Sequence, residues 1–88
     1  MEYFPGQMVY SKSGRDKGRP FLVISCEGAY LYLADGELRP VERPKKKKII
    51  HVQKTGFACG GLGDKFINGE TVTNSEISKA LRNISAKK

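Results

Sequence analysis

Residues 11–26 read SKSGRDKGRPFLVISC and join two contrasting kinds of sequence. The first half is a polar loop with two glycines, and the second half, beginning at Phe21, is a dense apolar run typical of a buried strand. The loop carries the cations Lys12, Arg15, Lys17 and Arg19. Because burial of the strand offsets the entropy of ordering the loop, this arrangement suits a loop that holds cations against negative charge.

Short apolar runs separated by turn residues continue along the chain and predict five strands. They cover residues 8–10, 21–26, 29–34, 37–43 and 49–52. Asp35-Gly36 predicts a two-residue hairpin between the third and fourth strands, and Pro40 predicts an edge or bulged fourth strand. Five short strands within about fifty residues predict a mainly β fold, a small five-stranded SH3-like barrel.

A glycine-rich segment follows the strands. Residues 56–63 read GFACGGLG, show no strand pattern and are predicted to form a flexible linker. The phosphate-binding loop ending in Gly-Lys-Ser/Thr is missing from this segment. Residues 62–68 could form a short helical turn that ends at Gly69.

The C-terminal part of the chain predicts an α-helix over residues 74–84. Thr73 and Glu76 have the spacing of a capping box, with Thr73 as the N-cap residue. The apolar stripe that should pack on the barrel consists of Ile77, Leu81 and Ile84. The predicted organisation is a barrel over residues 1–54, a glycine-rich connector over 55–72 and a C-terminal helix within 73–88.

The chain is strongly basic, with a formal net charge of +7 over 88 residues. Small basic domains commonly bind nucleic acid, acidic membrane surfaces or acidic proteins. No apolar run approaches the ~20 residues that span a bilayer, and the N-terminus lacks the features of a signal peptide. Two isolated cysteines, Cys26 and Cys59, form neither a zinc site nor a disulfide framework. We therefore expect a cytoplasmic protein without metal, cofactor or membrane partner.

The segment GRDKGR, preceded by VYS and followed by the apolar strand, resembles a KOW motif. In that family a strand, a basic loop and a second strand surround a characteristic glycine, which Gly18 matches best. The runs VYSKSGRDKGRPFLVI and LYLADGELRPVERPKKKK, within residues 5–53, resemble bacterial KOW-domain RNA-binding proteins related to the archaeal and eukaryotic large-subunit ribosomal protein fourteen. TVTNSEISKAL is similar to the short C-terminal helix of the bacterial members. The resemblance implies an SH3-like barrel of the KOW type that binds structured RNA, usually ribosomal RNA.

The cations fall in two groups that barrel closure would bring to one end of the molecule. Phosphate contacts dominate nucleic-acid affinity, and A-form RNA is read by shape and backbone more than by sequence. A charged face that only contacts solvent is the simpler interpretation, and lysines before a strand also resist edge aggregation. The predicted RNA-binding residues are Lys12, Arg15, Lys17, Arg19, Arg39, Arg43, Lys45, Lys46, Lys47 and Lys48.

The other candidate residues receive structural interpretations. Tyr30 and Tyr32 share one strand face, where packing is favoured over stacking on bases. Asp16 is expected to accept hydrogen bonds from backbone amides in an Asx-type turn. His51 is expected on a strand face, since no triad or metal-ligand set can be assembled around it.

No recognisable spacing of paired carboxylates, metal ligands or an activated nucleophile predicts an enzyme or a small-molecule substrate. We expect a non-catalytic RNA-binding domain with ribosomal RNA, the ribosome or translation factors as partners. The alternative is a protein-interaction module that docks a transcription or translation factor, as related KOW domains do in transcription elongation factors.

Overall fold

The computed structural model describes residues 3–86; Met1, Glu2, Lys87 and Lys88, which the predicted domain ranges include, lie outside them. Within the described range the chain forms five strands, two α-helices and one 3₁₀ helix. In chain order these are β1 (Gln7–Ser11), β2 (Pro20–Glu27), β3 (Tyr30–Ala34), β4 (Lys45–Lys48), the 3₁₀ helix (Ile49–His51), β5 (Val52–Ala58), α1 (Gly60–Asn68) and α2 (Asn74–Ala86). The predicted mainly β class and the C-terminal helix are confirmed.

The strands form one antiparallel sheet in the order β4-β3-β2-β1-β5. Phe21, Leu22 and Val23 of the central strand β2 are fully buried, which confirms the predicted buried strand, although β1 is buried over a larger share of its length. Register irregularities in the β1–β5 and β2–β3 pairings bend the sheet. No pairing among residues 3–86 joins β4 to β5, so hydrogen bonding does not close the sheet into the predicted barrel.

Apolar side chains line both faces of the sheet. On one side, here called the inner face, the cluster consists of Tyr3, Val9, Phe21, Val23, Leu31, Leu33 and Val52. On the other side, the outer face, the cluster joins the sheet to the helices and consists of Met8, Leu22, Ala34, Leu62, Val72, Ile77 and Leu81. Both helices contact β2, so they cover the middle of the outer face.

Helix α2 begins with the predicted capping box. The backbone N–H of Glu76 donates to Thr73 Oγ1 over 3.1 Å, and the backbone N–H of Thr73 donates to Glu76 Oε1 over 2.9 Å. Ile77 is fully buried, Leu81 is 5% exposed, and Ile84 packs against the same cluster. The predicted apolar stripe and its packing on the sheet are confirmed.

The predicted fourth strand over residues 37–43 is wrong, and so is the two-residue hairpin at Asp35-Gly36. Asp35 Oδ1 accepts hydrogen bonds from the backbone N–H groups of Glu37 and Arg39, at 2.9 and 2.8 Å. The backbone N–H of Asp35 also donates to the carbonyl of Arg39 over 2.9 Å. These local bonds use the amides that a strand would offer to its neighbour, so the segment forms a compact loop.

The fourth strand is instead the lysine run itself. Lys45–Lys48 pairs with β3, with Lys45 opposite Leu33 and Lys47 opposite Leu31. The predicted final strand over residues 49–52 is wrong, because Ile49–His51 forms a 3₁₀ helix and the last strand begins at Val52. His51 therefore lies in a helical turn and not on a strand face.

The glycine-rich segment is ordered into regular structure and is not the predicted flexible linker. Gly56 lies in β5. Helix α1 begins at Gly60, two residues before the predicted start of the helical turn at residue 62. The start of α1 approaches the Pro5-Gly6 turn so closely that a Cβ on Gly63 would lie 2.5 Å from the Pro5 carbonyl oxygen. The helix ends as predicted at Gly69, whose φ of 74° is left-handed.

Candidate functional site

The basic loop between β1 and β2, residues 12–19, has a fixed backbone. Its two ends are joined by hydrogen bonds from Ser11 N–H to the Arg19 carbonyl (3.1 Å) and from Gly18 N–H to the Ser11 carbonyl (2.8 Å). Gly14 and Gly18 adopt φ of 77° and 85°, which other residues rarely adopt. The loop is thus shaped by its backbone before any ligand arrives.

Asp16 anchors this loop to distant parts of the chain. It is 4% exposed, and Oδ2 accepts hydrogen bonds from Arg39 Nε and Nη2 at 3.2 and 3.0 Å. Lys45 Nζ lies 3.5 Å from the same oxygen. Burial acts to raise the pKa of Asp16, but the hydrogen bonds and charges of Arg39 and Lys45 outweigh it and lower the pKa below its ordinary value. The expected Asx-type turn is replaced by this ionic cluster.

Lys47 makes the second attachment. Its side chain lies on the inner face, opposite Leu31, and the residue is 8% exposed. Lys47 Nζ donates to the carbonyl oxygen of Ser13 over 2.9 Å. Burial, followed by repulsion from Lys45, lowers the pKa of Lys47. The lysine therefore satisfies a loop carbonyl and holds the loop against β4.

Asp35 makes the third attachment. It is 6% exposed and forms an ion pair with Arg19 at 3.2 Å, in addition to its backbone bonds within the loop of residues 35–44. The structure therefore brings part of the second predicted group of cations to the basic loop: Arg39 and Lys45 meet Asp16, and Lys47 meets the Ser13 carbonyl. Four of the predicted RNA-binding residues serve this internal network: Arg19, Arg39, Lys45 and Lys47.

The remaining six predicted residues are exposed: Lys12, Arg15, Lys17, Arg43, Lys46 and Lys48. Among residues 3–86, no ion pair involves Lys12, Arg15 or Lys17, which all lie on the anchored loop. Their charges are free to meet an external anion.

The lysine run does not act as one surface. Alternation along β4 places Lys45 and Lys47 on the inner face, and Lys46 and Lys48 on the outer face beside the tyrosines of β3. Lys46 Nζ lies 4.6 Å from the centroid of the Tyr30 ring. The sequence pattern places the run between two predicted strands and misses this division, which only the strand register reveals.

The interpretation of Tyr30 and Tyr32 as packing residues is not supported. Both are partly exposed, and neither belongs to the inner or the outer apolar cluster. Tyr32 Oη donates a hydrogen bond to Glu27 Oε1 over 3.0 Å. The two rings form part of the surface of the sheet.

The chain contains two cysteines and one histidine as further groups with reactive chemistry. Cys26 is half-buried, its Sγ lies 3.6 Å from the Tyr3 carbonyl oxygen, and burial raises the pKa of its thiol. Cys59 is half-buried at the start of α1, and His51 is exposed. The described residues contain no group of three or more His, Cys, Asp or Glu side chains placed to hold a metal ion.

The sequence matches no protein-family model, and no match is found among curated proteins. None of the helices in residues 3–86 is both long enough and apolar enough to cross a membrane.

Proposed function

We propose that this protein is a non-catalytic RNA-binding domain of the SH3-like KOW type and that residues 12–19 contact RNA phosphates. The order of β1, basic loop and β2 agrees with the strand–loop–strand unit that the KOW resemblance implies. Gly18, at the position of the characteristic glycine, has a φ of 85°, so the backbone there favours glycine. The resemblance favours ribosomal RNA or the translation apparatus as the setting, and two unpaired cysteines fit a reducing cytoplasm.

The observation that carries the proposal is the anchored loop with three unpaired cations. A loop already held by Asp16 and Lys47 loses little conformational entropy when it binds a ligand. Its exposed cations have no acidic partner among the described residues, so they need not break an internal ion pair to meet a phosphate. The cations that contact phosphate in this proposal are Lys12, Arg15 and Lys17.

The salt dependence of RNA binding tests this assignment. Each phosphate neutralised by a cation releases counterions, and the slope of log K against log salt is about −0.7 per contact for single strands and about −0.9 for B-form duplex. A Lys12→Ala/Lys17→Ala variant should therefore bind an RNA hairpin with a slope less steep by about 1.4 to 1.8. Fluorescence anisotropy across a salt series measures both the affinity and the slope.

The matched control removes two other exposed lysines, Lys54 on β5 and Lys79 on α2. The Lys54→Ala/Lys79→Ala variant has the same net charge as the loop variant but keeps the loop intact. Its slope should match that of the wild type. Equal slopes for the two variants would show that net charge and not the loop governs binding, and the site assignment would then be wrong.

A further inference from the structure

The outer face of the sheet is only partly covered by the helices. Ala34, at the end of β3, is fully buried in the cluster that joins the sheet to α1 and α2. Tyr30 and Tyr32, earlier in the same strand, are partly exposed and lie outside that cluster. Their partners in β4 are Lys48 and Lys46, so two aromatic rings and two lysines share one open surface.

We propose that this surface, formed by Tyr30, Tyr32, Lys46 and Lys48, binds unpaired nucleotides of RNA by stacking on the tyrosine rings. The inference rests on the proposed RNA-binding function and extends it from backbone contact to contact with bases. Bases of a duplex are stacked on each other and offer no free ring face, whereas loops, bulges and ends can place a base on an aromatic side chain. The predicted ligand is therefore a single-stranded segment.

Lys46 now occupies the place that a base would take. Its Nζ lies 4.6 Å from the Tyr30 centroid and 5.9 Å from the Tyr32 centroid. An exposed cation–π contact contributes about a two- to fivefold preference, whereas stacking of a base on an aromatic side chain contributes about five- to 150-fold in affinity. An incoming base would therefore displace the ammonium group, which could then move to the adjoining phosphate.

The charges on this surface favour the same ligand. Glu27 is the acidic residue there; it accepts a hydrogen bond from Tyr32 Oη and lies 3.9 Å from Lys46 Nζ. Lys46 and Lys48 outnumber it, and Lys48 makes no ion pair within residues 3–86. Aromatic rings flanked by lysines match the alternation of flat bases and phosphates along a single strand.

The test compares two double variants of the full chain. Tyr30→Leu/Tyr32→Leu keeps apolar bulk without an aromatic face, and Tyr30→Phe/Tyr32→Phe keeps the rings but removes the hydroxyl groups. The probes are an oligouridine of about eight nucleotides and a blunt-ended RNA duplex without unpaired nucleotides. The leucine variant should lose at least about fivefold in affinity for oligouridine, whereas the phenylalanine variant should bind like the wild type. Both should bind the duplex with unchanged affinity.

Intrinsic fluorescence gives an independent readout, because the chain contains four tyrosines and no tryptophan. Oligouridine should quench the wild-type emission, and the quenching should shrink in the leucine variant. Circular dichroism establishes that both variants are folded. Equal oligouridine affinity of the two folded variants would overturn the stacking surface. Duplex binding that depends on Lys12 and Lys17, without any oligouridine binding, would overturn it while leaving the proposed function in place; no binding of either RNA would overturn both.

Discussion

Removal of the Asp16 carboxylate should destabilise the fold and release the basic loop. Loss of one partner from a fully buried ion pair costs about 3–5 kcal/mol, because the remaining charge is left without compensation. Here the side chains of Arg39 and Lys45 are 34% and 30% exposed, so water can solvate them in part. We therefore expect Asp16→Ala to lower the free energy of unfolding by about 2–3 kcal/mol.

Thermal unfolding followed by circular dichroism measures this change. For a domain of this size, 2–3 kcal/mol corresponds to a decrease in Tm of roughly 10–20 °C. Asp16→Asn keeps an acceptor oxygen for Arg39 and should lose less than the alanine variant. Asp64 is exposed on α1, so Asp64→Ala should change the stability by at most about 0.5 kcal/mol. Equal stability of the Asp16→Ala and Asp64→Ala variants would refute the anchoring role of Asp16.

The pH dependence of stability provides a second test of the same cluster. The pKa of Asp16 in the folded protein lies below the ordinary value of 3.8, which applies to the unfolded chain. As the pH falls, the unfolded chain therefore takes up the Asp16 proton before the folded protein does. The stabilisation of the folded state by the ionised carboxylate is complete above pH 3.8 and is lost as the pH falls through the pKa of Asp16 in the folded protein. The stability difference between the wild type and Asp16→Asn should shrink over this range. A difference that is independent of pH would contradict the ionic account.

Two further changes test how the helices are attached, both by urea unfolding. Gly63→Ala should lower the free energy of unfolding by about 1–3 kcal/mol, because its Cβ would lie 2.5 Å from the Pro5 carbonyl oxygen. Gly61 lies in the same helix, but a Cβ there would meet no neighbouring segment within 4 Å. Gly61→Ala should therefore raise the free energy of unfolding by about 0.5–1 kcal/mol, because alanine has the higher helix propensity. Equal effects at the two positions would show that the close approach to Pro5 is unimportant. Thr73→Ala should cost about 1 kcal/mol through loss of the hydroxyl that accepts the Glu76 N–H, and an unchanged stability would show that the cap contributes nothing.

The strands and helices that were predicted correctly are those whose own residues carry the apolar or capping pattern that determines their structure. In β2 the run from Phe21 to Val23 is apolar on both faces, and in α2 the capping box and the apolar stripe lie within one segment. Such patterns can be read without knowing what the segment contacts. They led to a correct mainly β class, a correct buried second strand and a correct C-terminal helix.

The errors arose where the determining partner is distant in sequence. The predicted fourth strand over residues 37–43 contains Leu38, which is 64% exposed, and the carboxylate of Asp35 accepts hydrogen bonds from the backbone amides of Glu37 and Arg39 that would have paired. Lys45–Lys48 has no apolar residue and forms a strand because β3 supplies the apolar side chains beside it. The local sequence around Gly63 is typical of a flexible linker, and it does not reveal the close contact of Gly63 with Pro5.

The candidate site also depends on partners that are distant in sequence. Charge alone did not distinguish the predicted cations that form internal contacts from those that are available to a ligand. Arg39 bonds to Asp16, and Lys47 bonds to the Ser13 carbonyl; these internal partners lie 23 and 34 residues away in sequence. Lys12 and Lys17 stay free because no acidic side chain among the described residues reaches them. The cations that we propose as RNA contacts are therefore those that the fold leaves without an acidic partner among the described residues.

Strand β4 contains both a cation with an internal hydrogen-bond partner, Lys47, and a cation on the surface, Lys46. Neighbouring lysines point to opposite faces, so Lys47 fixes the basic loop from the inner face while Lys46 lies over Tyr30 on the outer face. As β4 is an edge of the sheet, its lysines also discourage pairing with another strand and leave the edge accessible. An RNA that contacts both the loop and the tyrosines would therefore have to pass around this edge, where Lys48 is exposed. The ligand that our two proposals together favour is therefore a structured RNA with an unpaired segment beside its helix, rather than a continuous duplex or a free single strand.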